Sequence, residues 1–117
     1  MADKNIWLAS SDGDLNQVKF LVENSGVNVN SYDDNSYTPM HASISWNQYD
    51  VLNYLISRGG NIDIVDYDGE SPLFVVETLE MARYIVENLN ANPNLRNKEG
   101  KTVSISYNIQ VNFTNVV

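Results

Sequence analysis

The chain contains no cysteine, which removes disulfides, thiolate metal sites and a cysteine nucleophile, and argues against a small secreted disulfide framework. Positive charge is scarce. Seven Lys and Arg stand against fifteen Asp and Glu, a formal net charge of −8, so the summed field repels phosphate backbones and anionic lipid heads. Nucleic acid and membrane are therefore not the expected partners. No stretch approaches the roughly 18 apolar residues of a membrane span, and the opening MADKNIWLASS lacks a basic segment running into a long apolar one. These absences fit a soluble protein of a reducing compartment, cytoplasm or nucleus. Gly-rich phosphate loops, nucleophile elbows and paired-His helices are also missing, which favours a non-enzyme without cofactor or metal.

What the 117 residues do contain is repetition. Three segments align: IWLASSDGDLNQVKFLVENSGVNVN from Ile6, MHASISWNQYDVLNYLISRGGNID from Met40, and LFVVETLEMARYIVENLNANPN from Leu73. Met40 follows Ile6 by 34 positions and Leu73 follows Met40 by 33, while the turn residues Ser36, Gly69 and Gly100 stand 33 and 31 apart. A period near 33 marks a stack of structural units, each too small to bury its apolar face alone.

Inside each unit the apolar spacing is helical, twice over. Val51, Leu52, Leu55 and Ile56 form one stripe of a helix that ends at Arg58-Gly59-Gly60, where glycine supplies a left-handed cap. Ahead of it, Thr38-Pro39 offers an N-cap hydroxyl and a proline at the first helical position, predicting a short helix from Pro39 to about Ser45. The runs VNVNSYDDNSYT and DIVDYDGES are too rich in Asn, Asp, Gly and Ser for helix and read as turns with a hairpin-like path.

The motifs SYTPMHAS, VLNYLISRGGNID, DGESPLF, MARYIVENLNANPN and VKFLVENSGVNVN, recurring in phase from about Asn5 to Lys101, resemble the ankyrin-repeat family. The resemblance implies an all-α solenoid of stacked helix-turn-helix units with projecting β-turn or hairpin loops. The expected repeat domain is 1–101, with units of about 5–34, 35–67 and 68–98 and a fourth beginning at 99. It also implies that Thr38, Pro39 and His41, with Gly59, Gly69, Ser71 and Pro72, are structural motif positions. His41 would then tie helix to turn by local hydrogen bonds. As a catalyst or metal ligand it would need a nucleophile, an orienting group or further ligands, and none is visible. VDYDGE shares the Asp-x-Asp-Gly core of a calcium loop, but Ile64 and Val75 occupy the first and closing ligand positions, so calcium is rejected.

By the same resemblance, the expected function is non-catalytic binding of a partner protein in a concave groove lined by turn tips and first helices. The family's usual contact positions correspond here to Ser11, Asp12, Tyr32, Asp34, Asn35, Tyr37, Ser45, Trp46, Val65, Tyr67, Asp68 and Glu70. They continue to Arg96, Lys98, Glu99 and Lys101. Four amphipathic aromatics among them suit interface hot spots, or else fill gaps between repeats. The acidic groups at Asp34, Asp68 and Glu70 suit a partner with a basic segment.

Three departures from the family stand out. Trp7 takes the histidine position of the first unit; the third unit's first helix is about three residues short; and the fourth unit fails. After Thr102 the alternation of Val103, Ile105, Tyr107, Ile109, Val111 and Phe113 with polar residues is a strand signal. The tail 102–117 is expected to be disordered or loosely packed, a makeshift cap, or an edge for β-addition. The alternative function is thus an assembly component that self-associates through this tail, although a monomer is expected over a homo-oligomer.

Overall fold

Four polar side chains decide where helices begin. The Asn5 side chain accepts the Leu8 N–H at 2.8 Å, Asp14 accepts that of Gln17 at 3.2 Å, Thr38 that of His41 at 3.2 Å and Thr78 that of Met81 at 3.1 Å. Each satisfies one of the N–H groups that a helix start leaves without an intrahelical acceptor. In the computed structural model, which describes residues 4–103, these caps open α1 (Ile6–Asp12), α2 (Leu15–Glu23), α3 (Pro39–Ser45) and α5 (Leu79–Glu87). Between them lie α4 (Tyr49–Ser57) and a single 3-10 turn, Pro72–Val75. The described residues contain no strand.

None of these helices exceeds nine residues, well under the roughly 12–15 needed for a helix to persist alone in water. Their stability comes from stacking. α1 packs on α3 and α3 on the 3-10 turn, a row of first helices, while α2 packs on α4 behind it. α3 is enclosed by α1, α4 and the 3-10 turn, and Pro39 through Ile44 are all buried. That enclosure explains why PMHASI carries no charge. Val18, Leu52, Leu55, Met81 and Ile85 supply the apolar stripes of the second helices and are fully buried.

Polar turns link the units in a pattern that repeats three times. The carboxylate of Asp33 accepts the N–H groups of Asn35 and Tyr37, both at 2.8 Å. Asp66 does the same for Asp68 and Glu70, and Asn97 for Glu99 and Lys101, at 2.9 to 3.0 Å. Each turn closes with a left-handed residue, Ser36, Gly69 or Gly100. Adjacent turns also touch: the Tyr67 N–H donates to the Ser36 hydroxyl at 2.9 Å, and the Lys98 N–H to the Asp68 carbonyl at 2.9 Å. Gly69 is required on two counts, since its φ is 76° and an added Cβ would meet the Lys98 nitrogen at 3.0 Å.

The expected domain edge at Lys101 is followed by two more buried residues, Thr102 and Val103, the latter part of the apolar core. The alternating stretch beyond them, on which the tail and self-assembly expectations rest, lies outside the described residues.

The short first helix of the third unit is the 3-10 turn, and it exposes a difference hidden by similar sequence. Thr38 and Ser71 occupy the same register position, each before a proline. Thr38 bonds both the backbone and the ring of His41. Ser71 has Phe74 where its histidine would be, and its buried hydroxyl has no hydrogen-bond partner among the described residues. Thr38→Ala should therefore lower stability by about 1–2 kcal/mol in urea unfolding, whereas Ser71→Ala should change it by less than about 0.5 kcal/mol or raise it. Equal losses at both positions would contradict the assignment.

Candidate partner-binding groove

Two hollows on the side of the first helices gather part of the expected contact set. A hollow of about 460 Å³ at the N-terminal end is lined by Asn5, Trp7, Leu8 and Ser11 of the first unit and by Tyr32, Asp33, Asp34, Asn35 and Tyr37. A second, of about 440 Å³, lies among Ser45, Trp46, Asn47 and Glu77. Asp12 lines neither and pairs with Lys4 at 3.2 Å. Tyr67 and Asp68 stand exposed on the second turn, Lys98 and Lys101 on the third, where Lys101 pairs with Glu99 at 3.5 Å.

The four aromatics divide in two. Trp46 and Tyr67 are 64% and 63% exposed, far beyond what a gap-filling role between repeats would leave. Tyr32 is exposed but committed: its hydroxyl donates to the Val65 carbonyl at 2.6 Å and its ring lies 5.9 Å from that of Tyr67. Tyr37 is half-buried, tilted against the His41 ring at 5.6 Å, and burial pushes its phenol above the ordinary value. It belongs as much to the scaffold as to the surface.

Charge is one-sided in the same region. Asp34, Asp68 and Glu77 form no ion pair among the described residues, while Glu70 accepts from the Asn97 amide at 3.1 Å. Most of the cations are engaged by other groups, while Lys98 stands exposed on the third turn. Lys4 pairs with Asp12 and Asp14, Arg83 with Glu87, and Lys19 and Arg58 lie over the Tyr54 ring on the second helices. Arg96 donates to the Gly100 carbonyl at 2.8 Å.

His41 is fully buried, and both ring nitrogens are engaged. Nε2 lies 2.9 Å from the Glu70 carbonyl, which only accepts, so Nε2 carries the proton. Nδ1, 2.7 Å from the Thr38 hydroxyl, then accepts. This neutral tautomer leaves no lone pair for a metal and no free base for a substrate, and among the described residues no three His, Asp or Glu converge on a metal site. Trp7 does a related job in the first unit: its indole N–H donates to the Ser31 carbonyl at 2.9 Å.

Several residues that shape the site were not singled out from sequence. Asp33, Asp66 and Asn97 hold the turns, and the threefold recurrence of Asp or Asn three residues before Ser36, Gly69 and Gly100 was the signal available. The Asp66 carboxylate, in the stretch that resembles a calcium loop, is spent on backbone N–H groups. Leu8 and Glu77 line the hollows without any motif to mark them.

Comparison with known proteins agrees with this architecture. Residues 6–97 match the family described as ankyrin repeats in three copies. An ankyrin repeat-containing protein of Schizosaccharomyces pombe is 46% identical over 96 residues, 82% of this chain and 46% of that protein. Ankyrin repeat domain-containing protein 40 of Mus musculus is 34% identical over 76 residues, 64% of this chain and 21% of its own length. Protein phosphatase 1 regulatory subunit 27 of the same species is 34% identical over 65 residues, 56% of this chain and 42% of its own. The chain therefore spans less than half the length of these relatives. No helix among the described residues is long and apolar enough to cross a membrane.

The buried ring makes stability depend on pH in a defined direction. Burial lowers the His41 pKa below its ordinary 6.5, against the smaller opposing effect of the Glu70 carbonyl. The unfolded chain thus takes up the proton first as pH falls. The stability from burying the neutral ring is complete above about pH 6.5 and is lost as pH drops towards the folded value. Urea unfolding from pH 7 to pH 5 should show stability falling by up to about 1.4 kcal/mol per pH unit. His41→Gln should flatten that slope, because this is the chain's only histidine; a flat wild-type profile would contradict the buried neutral ring.

Proposed function

The chain belongs to the ankyrin-repeat family, a family of protein-binding modules that are typically non-catalytic, and from that premise we propose that it binds a partner protein in the groove between its turns and first helices. The observation that carries this reading is the coincidence of exposed Trp46 and Tyr67 with Asp34, Asp68 and Glu77, none of them ion-paired among the described residues. Large amphipathic rings give contact area at low entropic cost. The carboxylates around them select a partner segment carrying Lys or Arg, and the net charge of −8 speeds its encounter more than it deepens the final affinity. Asp12, Tyr32, Asn35, Tyr37, Ser45, Glu70, Lys98 and Lys101 complete the proposed contact set. The groove residues act by shape and charge and transform nothing.

The test is capture from native extract by wild type and by Tyr67→Ala/Asp68→Asn, both verified as folded by circular dichroism. The double variant should weaken a captured partner by about 1–3 kcal/mol, and rising salt should weaken the wild-type complex. A partner held equally by both proteins and indifferent to salt would move the interface off this groove.

A further inference from the structure

The truncated third unit leaves a specific opening in the groove. α3 runs seven residues before Trp46, whereas the stacked element of the next unit is a 3-10 turn of four, ending at Val75. The chain then turns into extended backbone at Val76 and reaches the Thr78 cap without the left-handed step that Asn47 makes at the same place in the second unit, with φ of 58°. Thr78 anchors this crossing by donating from its hydroxyl to the Asn47 side-chain oxygen at 3.3 Å. Among the described residues no ring stacks over Trp46. Its indole is 64% exposed and makes no hydrogen bond or ring contact with any described residue.

Glu77 lines the same hollow as Ser45, Trp46 and Asn47. Its carboxylate is exposed and forms no ion pair or hydrogen bond among the described residues. An aromatic face and an unpaired carboxylate lining one hollow are the two halves of a receptor for a planar cation: the ring attracts the cation's face, and the carboxylate accepts from its N–H edge. Arginine satisfies both at once, whereas the compact, strongly hydrated ammonium of lysine does not stack. We propose that the Trp46–Glu77 hollow is a subsite for one arginine side chain of the partner. This rests on the groove reading above but names a part of the groove that Tyr67 and Asp68 do not line.

The experiment uses the acetylated, amidated pentapeptide Gly-Gly-Arg-Gly-Gly as probe, with the isosteric neutral citrulline peptide and the lysine peptide as controls at matched ionic strength. Binding is read by NMR on the Trp46 indole N–H and the amides of Asn47, Glu77 and Thr78. Only the arginine peptide should shift these signals saturably, with the Trp7 indole unmoved. Glu77→Gln should weaken the response about fivefold and Trp46→Ala abolish it at the remaining amides. Equal shifts with citrulline would overturn the cation assignment, equal shifts with lysine the preference for a planar group, and no saturable shift with arginine the subsite itself. Those failures leave the groove reading intact wherever partner capture still depends on Tyr67 and Asp68. Arginine-specific shifts together with capture that ignores Tyr67 and Asp68 would instead uphold the subsite and remove the wider groove.

Discussion

Two hydrogen bonds at one buried imidazole tie the middle of this protein together, beside the Tyr67 N–H bond to Ser36 and the packing of α3 on the 3-10 turn. Through Nδ1, His41 meets the cap of its own helix; through Nε2–H it reaches the Glu70 carbonyl, 29 residues on, in the next turn. Helix α3 and the second turn are thereby set relative to each other. The turn is rigid in its own right because Asp66 holds its two N–H groups. The exposed Tyr67 and Asp68 therefore project from a position that the core determines, and a binding surface gains from such preorganisation.

The third unit shows what happens when that arrangement is missing. With Phe74 in place of histidine, the Ser71 hydroxyl is buried without a partner among the described residues, and the first helix is a 3-10 turn. An orphaned polar group costs stability. Beside the shortened element, Glu77 lines the same hollow as the exposed Trp46.

Inter-unit bonds behind the groove follow the same economy of short polar links. The Asn61 N–H donates to the Asn30 side chain at 2.8 Å, and the Asn92 N–H to Asp63 at 2.9 Å, one rung between each pair of units. On the second helices, the Tyr54 hydroxyl donates to Glu23 at 2.6 Å and that of Tyr84 to Asn53 at 2.7 Å. A stack of nearest-neighbour contacts needs such rungs at every step, because each unit meets only the next. Its relatives share the repeats while being more than twice as long as the matched region.

The sequence by itself determined the repeat, the helix pairs of the first two units and the short helix at Pro39–Ser45. Period, capping residues and apolar spacing are local properties that a chain displays before it folds. Truncation of the third unit was legible as missing residues, but its consequence was not. Whether an aromatic is buried or bare depends on what the next unit places above it, and only the tertiary structure decided that Tyr37 packs inward while Trp46 and Tyr67 stay open. The same holds for charge. Asp33 and Asp66 look like their acidic neighbours in sequence, yet folding turns their carboxylates onto backbone N–H groups and leaves Asp34, Asp68 and Glu77 free of ion pairs, because partners for a side chain are assigned by proximity across units.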